Sequence, residues 1–134
     1  DNYTAQQFAK VMQLNVSAMM NCIMPTVKIM KEQGGGCILN TSSMVSICGQ
    51  PRGVAYPTSK SAVNGLTWSL ARELGPSRIR VNAVAPGYYK DRHGGGAPQG
   101  DDRSSDQRHS PAPVGEPEDI ANAFLFLASD MAPM

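Results

Sequence analysis

The sequence predicts an α/β fold built on a parallel sheet. Segments with helical spacing of apolar residues alternate with two short apolar runs of strand length. Parallel strands need a crossover connection, and the intervening helical segments are long enough to supply it. The apolar runs are followed by Ser42-Ser43 and closed by Pro86-Gly87. Because ligands bind beyond the carboxyl ends of parallel strands, these two places mark the expected site.

Length and composition exclude several classes of protein. The 134 residues suffice for one domain, and the formal net charge of +1 gives no reason to expect nucleic acid or an anionic membrane as partner. No apolar run could span a bilayer, and the polar start DNYTAQQFAK lacks the apolar core of a secretion signal. Cys22, Cys37 and Cys48 are odd in number and lack CxxC spacing, so we expect reduced, mostly buried thiols in a cytoplasmic protein and no metal site.

The first predicted helix covers residues 4–32. Its apolar residues at helical spacing are Phe8, Met12, Val16, Met19, Ile23, Val27 and Met30. Thr4 is placed to cap its start. Pro25 should kink or split it, and the glycines at 34–36 should end it.

Four further segments follow in the order strand, helix, strand, helix. CILNTSS, residues 37–43, reads as a buried strand, and residues 44–52 read as a loop. A second helix is predicted over residues 56–74, ended by Gly75-Pro76. IRVNAVAP, residues 79–86, reads as a second buried strand. A third helix is predicted over residues 116–128, with Ile120, Phe124 and Leu127 on one face.

One stretch interrupts this pattern. Residues 90–113 contain only two apolar residues, Ala97 and Ala112. Such a segment cannot bury a face, so we expect it to be disordered as written.

The stretch GVAYPTSK, residues 53–60, carries the chemistry. Tyr56 and Lys60 are four residues apart, so a helix places them on one face. A nearby cation favours the phenolate, and a tyrosine so placed can exchange a proton with an alcohol or carbonyl oxygen. Ser43, at a strand end, can offer a hydroxyl to the same oxygen. Asn15, on the first helix, can orient a water or a backbone carbonyl for proton relay.

Five motifs together resemble the short-chain dehydrogenase/reductase family. They are LNV with Asn15, GCILNTSS with Ser43, YPTSK with Tyr56 and Lys60, RVNAVAPG with Pro86-Gly87, and GEPEDIANAFLFLASD. A single YxxxK occurs by chance, whereas five motifs in the family's order are specific. The resemblance covers residues 1–87 and 115–131, and it implies a Rossmann-type, doubly wound parallel sheet.

The resemblance also implies roles for these residues. Tyr56 would be the general acid in reduction and the base in oxidation, and Lys60 would hold the nicotinamide ribose. Ser43 would polarise the substrate oxygen, and Asn15 would support the proton relay. Pro86 and Gly87 would face the nicotinamide of NAD or NADP. The implied partner is a small alcohol or ketone, and the implied assembly of a full-length protein is a dimer or tetramer.

The chain departs from the family in what it lacks. The glycine-rich turn that holds the pyrophosphate is absent, and so are the residues that select NAD or NADP. We therefore interpret residues 1–134 as a partial domain that lacks the N-terminal half and the last strand of the sheet. The absence of an initiator Met agrees with this interpretation. Half a sheet exposes an edge strand, so we expect the chain alone to be unstable.

Residues 88–114 depart from the family in a different way. The family has a cofactor-binding threonine where this chain has Asp91. One hypothesis is that the segment is a frameshifted reading, because a one-nucleotide shift permits a threonine there, then an amphipathic segment and a basic run before Gly115. The alternative is a natural flexible loop. The coding DNA decides between the two.

Two functions stay open from the sequence. The first is an NAD(P)-dependent oxidoreductase that acts on a secondary alcohol or ketone, such as a hydroxysteroid or a 3-oxoacyl substrate. The second is a catalytically inactive relic, or a partial domain that serves only as an association module. The retained Tyr56, Lys60, Ser43 and Asn15 favour the first, and the missing phosphate turn favours the second.

Overall fold

The computed structural model describes residues 4–87 and 115–132. Its elements are α1 (Ala5–Met12), a π-helical segment (Gln13–Ser17), α2 (Ala18–Glu32), β1 (Gly36–Thr41), α3 (Val45–Cys48), α4 (Ala55–Leu74), a 3-10 turn (Gly75–Ser77), β2 (Ile79–Val84) and α5 (Pro117–Ala128). The predicted alternation of helices and strands is confirmed. The prediction of disorder for residues 90–113 and the frameshift hypothesis for residues 88–114 concern a segment outside the described residues.

The first helical region begins as predicted and is interrupted at an unexpected place. Thr4 caps α1 in a capping box, since its hydroxyl accepts from the Gln7 amide at 3.1 Å and its amide donates to the Gln7 side chain at 3.1 Å. The interruption is the π-helical segment, whereas α2 runs through Pro25 without a break. Pro25 removes one amide donor from α2, and Ile23, two residues before it, packs in the core.

The two strands pair in parallel, with Gly36 opposite Ile79 and Thr41 opposite Val84. At their amino ends the chain is tightly joined. The Gly36 amide donates to the Arg78 carbonyl at 3.2 Å, and Gly35 lies against the same carbonyl with a φ of 156°. A Cβ on Gly35 would come within 2.9 Å of that oxygen, so no other residue fits there without a shift.

Helices cover both faces of the sheet. Ile38, Ile79 and Val81 pack with residues of α2 and α4 in the main core. The alternate residues Cys37 and Arg80 point to the opposite face, where both contact the carbonyl of Leu127 in α5. This three-layer arrangement is the doubly wound α/β fold that the family resemblance implied, with two strands within the described residues.

Two sequence-based expectations are wrong. Residues 44–52 are not all loop, because α3 forms from Val45 to Cys48 and ends at Gly49, which has a φ of 73°. A four-residue helix is too short to leave a periodic pattern. The cysteines are free but not mostly buried: Cys22 and Cys48 are exposed and Cys37 is partly buried. Cys22 lies on α2 and lines an open cleft with Cys37 and Ile38, and Cys48 is the last residue of α3.

Among residues 4–87 and 115–132, no helix is both long and apolar enough to cross a membrane.

Candidate active site

Tyr56 and Lys60 lie one turn apart near the start of α4, as their spacing predicts. The Lys60 ammonium is 5.7 Å from the centroid of the Tyr56 ring. The same Nζ donates to the carbonyl of Thr41, the last residue of β1, at 2.8 Å. Lys60 therefore ties the first turns of α4 to the carboxyl end of the sheet, which is where the ligand was expected.

The two side chains differ in their access to solvent. Tyr56 is 42% exposed, and its hydroxyl makes no hydrogen bond to any other described residue. Lys60 is partly buried, and this desolvation lowers the pKa of its ammonium below the ordinary value of 10.5. An ammonium has three donors, and only one of them is used within the described part of the chain. Lys60 therefore keeps donors for a ligand hydroxyl.

Ser43 lies two residues beyond β1 and is 9% exposed. Backbone pairing continues past the strands on both sides of it. The Ser42 amide donates to the Val84 carbonyl at 2.7 Å, and the Met44 amide donates to the Pro86 carbonyl at 2.9 Å. These bonds bring the Ser43 segment beside Pro86 and Gly87, so the two predicted strand-end groups are neighbours.

Asn15 lies in the π-helical segment, and its side chain reaches α4. Its Nδ2 donates to the Ser59 hydroxyl at 3.0 Å. The Ser59 hydroxyl in turn donates to the Tyr56 carbonyl at 2.7 Å. Segments of π-helix occur often at functional sites. Asn15 is thus joined to the Tyr56 turn through one intervening side chain.

Sequence reasoning missed a polar network that holds the site together. Ser42 donates to Asn64 Oδ1 at 2.6 Å, Asn64 Nδ2 donates to Ser46 at 2.8 Å, and Ser46 donates to the Ser43 carbonyl at 2.6 Å. This network joins the end of β1, α3 and α4. Its members are up to 22 residues apart, and nothing in their spacing signals that they meet.

A buried pair repeats this connection one turn further along α4. Asn40 Nδ2 donates to Thr67 Oγ1 at 2.9 Å, and both residues are 5% exposed. Asn40 and Ser42, both on or beside β1, therefore have structural partners on α4. These bonds fix the helix that carries Tyr56 and Lys60 relative to the strand that leads to Ser43.

A parallel α/β sheet with a tyrosine–lysine turn and a serine at its carboxyl end defines a class of dehydrogenases and reductases. The family model described as enoyl-(acyl carrier protein) reductase matches residues 1–134. The chain belongs to the short-chain dehydrogenase/reductase family.

Individual relatives agree with this assignment. A 3alpha-hydroxysteroid dehydrogenase from Mediterraneibacter gnavus is 60% identical over 131 residues, which are 98% of this chain and 52% of that protein. A 3-oxoacyl-(acyl-carrier-protein) reductase from Thermotoga maritima is 38% identical over 120 residues, which are 90% of this chain and 49% of that protein. The chain spans about half the length of the curated relatives it matches.

Solved structures show the same fold. A short-chain dehydrogenase/reductase from Mycobacterium ulcerans matches with a TM-score of 0.86 and 32% identity, covering 98% of this chain and 48% of that one. A proposed NAD(P)-dependent gluconate 5-dehydrogenase from Beutenbergia cavernae, with NADP bound at low occupancy, matches with a TM-score of 0.83 and 32% identity. That match covers 96% of this chain and 53% of the other.

Proposed function

We propose that the chain carries the catalytic half of an NAD(P)-dependent oxidoreductase that interconverts a secondary alcohol and a ketone. The observation that carries this proposal is the Tyr56–Lys60 turn. Tyr56 is exposed, the Lys60 ammonium lies 5.7 Å from the centroid of its ring, and Lys60 is anchored to the end of β1. Family membership supplies the reaction class, and the named relatives are dehydrogenases and reductases.

In this proposal Tyr56 moves the proton. Its hydroxyl gives a proton to the carbonyl oxygen in reduction and takes it back from the alcohol in oxidation. Lys60 stabilises the charge on the phenolic oxygen. Ser43 donates a hydrogen bond to the substrate oxygen. Asn15, which contacts α4 at Ser59, supports proton relay.

The residues present fit one end of a nicotinamide dinucleotide. Lys60 has spare donors for ribose hydroxyls, and Pro86 and Gly87 lie beside the Ser43 segment, where a nicotinamide ring would be held. When bound, NAD or NADP supplies or accepts the hydride. Among residues 4–87 and 115–132, no strand is followed by a glycine-rich turn that could hold the pyrophosphate.

A hydroxysteroid is the substrate class that we propose first, and a 3-oxoacyl thioester second. The order follows identity, because the relative named as a 3alpha-hydroxysteroid dehydrogenase is 60% identical and the 3-oxoacyl reductase is 38% identical. Both classes present the same reacting group, a carbonyl that becomes a secondary alcohol. The Tyr56 site alone does not distinguish them.

The test is nicotinamide-dependent turnover in two proteins. One is this chain, and the other is a chimera that adds the part of the Mediterraneibacter gnavus relative that the chain does not span. NADH and NADPH are each offered with a 3-oxosteroid and with a 3-oxoacyl thioester. We expect turnover by the chimera and a loss of about 100-fold or more in Tyr56→Phe, because general acid–base catalysis contributes on that order.

Two controls make the result specific. Tyr56→Phe should still bind the cofactor, and Ser69→Ala, an exposed change on the same helix, should keep normal turnover. Normal turnover in Tyr56→Phe contradicts the role of the phenol. Absence of turnover by both proteins with every pair contradicts the proposed function.

An association module is the second candidate, and an exposed aromatic side chain favours it. Trp68 on α4 is 68% exposed, and Leu125 and Phe126 on α5 are also exposed. Side chains of this size are enriched where proteins associate. Light scattering of the chain and of Trp68→Ser measures this directly: an oligomer that dissociates in the variant supports the module, and a monomer in both contradicts it.

A further inference from the structure

Ser59 is a buried polar side chain that the proposed chemistry does not yet use. It lies on α4 between Tyr56 and Lys60 and is 0% exposed. Buried hydroxyl groups need hydrogen-bond partners, and Ser59 has two. Its oxygen accepts from Asn15 Nδ2 at 3.0 Å, and its hydrogen points to the Tyr56 carbonyl at 2.7 Å.

Packing does not hold Asn15, the residue that donates to Ser59, in one orientation. No residue of the π-helical segment is buried, and Asn15 is only partly buried. A partly buried amide can rotate unless a hydrogen bond holds it. Among the described residues, the bond to Ser59 is the hydrogen bond that the Asn15 side chain makes.

The Ser59 hydroxyl also makes a hydrogen bond to Tyr56. Tyr56 is 42% exposed, so packing restrains its side chain only in part. In this bond the Ser59 hydroxyl donates to the backbone carbonyl of Tyr56. A single oxygen with no solvent contact therefore links Asn15 to the turn that presents Tyr56.

We propose that Ser59 is a positioning residue, which sets the Asn15 amide and the Tyr56 turn in a fixed relation. The proposal rests on the proposed function, since it assigns Ser59 to the same proton-transfer site. Ser59 is bonded to Asn15 and to Tyr56, and it acts on the substrate only through these two residues. Losing its hydroxyl should therefore slow the proton step and leave substrate binding largely unchanged.

The kinetic test uses the two proteins described above with the substrate that gives turnover. Ser59→Ala and Asn15→Ala should each lower kcat by about threefold to tenfold, with KM changed by less than about twofold, as expected for loss of the Asn15–Ser59 hydrogen bond that both changes remove. The double variant should lose less than the product of the two single losses, because both changes remove the Asn15–Ser59 bond, which can be lost only once. Ser69→Ala is the matched control, since its exposed hydroxyl bonds to the Gly65 carbonyl on the same helix at 2.9 Å.

Three kinetic results overturn the proposal. They are a wild-type kcat in Ser59→Ala, an effect confined to KM, and a double variant whose loss is the product of the two single losses. If Ser59→Ala does not fold, Asn15→Ala breaks the same bond from the partly buried side. A wild-type kcat in that variant also overturns the proposal.

A spectroscopic measurement separates this proposal from the proposed function. The side-chain amide of Asn15 is followed in nitrogen–proton correlation spectra of the isotope-labelled chain. Ser59→Ala should shift that resonance and Ser69→Ala should not. An unchanged Asn15 resonance overturns the positioning role whatever the turnover. A shifted resonance in a protein without any turnover supports the connection and contradicts the proposed function.

Discussion

Replacing Arg80 with methionine should make α5 open more often, while the backbone amides of α4 keep their protection from hydrogen exchange. Arg80 extends from β2 to the carboxyl end of α5. Its guanidinium donates to the carbonyls of Leu127 at 2.6 Å, Ala128 at 3.3 Å and Ser129 at 3.1 Å. These carbonyls are among those that a helix leaves without an internal partner. A cation at the carboxyl end of a helix also interacts favourably with the helix dipole. Methionine keeps much of the aliphatic stem and removes all three bonds.

The expected magnitude follows from those bonds. A typical hydrogen bond contributes about 1 kcal/mol net, and the bond to Ala128 is the longest at 3.3 Å, so losing all three should lower the stability of docked α5 by about 2–3 kcal/mol. That corresponds to about a 30-fold to 150-fold rise in the opening equilibrium of the helix. Since α5 contains no buried residue, little packing compensates for the loss.

Hydrogen exchange of backbone amides is the assay, since it reports each helix separately. Protection should fall in residues 121–128 by about the stated factor and hold in α4. Arg72→Met, an exposed change on α4, is the control and should leave α5 as it is. A loss below about threefold in α5, or an equal loss in α4, refutes the reasoning.

Two other changes test the burial of polar groups. Burial lowers the pKa of Lys60 from 10.5, so the unfolded chain binds this proton more tightly and stability should rise with pH over the window just below 10.5. Urea unfolding should show that slope weakened in Lys60→Met and kept in the exposed control Lys28→Met; an unchanged slope in Lys60→Met contradicts the assignment. Thr67→Val should cost about 1–3 kcal/mol in urea unfolding because it strands the Asn40 amide, 5% exposed, without its acceptor. Asn40→Leu combined with Thr67→Val should recover part of that loss, and a cost below about 0.5 kcal/mol in Thr67→Val alone speaks against a stranded amide.

Periodicity and turn residues predicted the elements well where the segments are long. The helix expected over residues 56–74 runs from Ala55 to Leu74, and the expected strand at 79–86 is β2 from Ile79 to Val84. Both are bounded by glycine or proline, whose backbone limits are visible in the sequence. The π-helical segment was not predicted, because a single extra residue in a turn does not disturb the apolar spacing enough to be seen.

The site was predicted as residue types, and its connections were not. Tyr56 and Lys60 meet because four residues make one turn, which spacing alone reveals. Lys60 is anchored by the backbone carbonyl of Thr41. Because every residue has a backbone carbonyl, the residue types in the sequence do not indicate this contact. Ser59 had a weak signal, since a serine three residues after Tyr56 falls on the same side of the helix. Its contact with Asn15 spans 44 positions and requires the fold.

The joined amino ends of the strands bear on which changes in chain length this fold tolerates. At Gly35 the space beside the Arg78 carbonyl does not admit one methyl group, so an insertion there has to separate the two strands. At the other end, residues 47–52 are exposed, and a Cβ at Gly49 would meet no neighbouring atom, although its φ of 73° disfavours other residue types. Loops beside the site can therefore lengthen or change while the opposite edge stays constant.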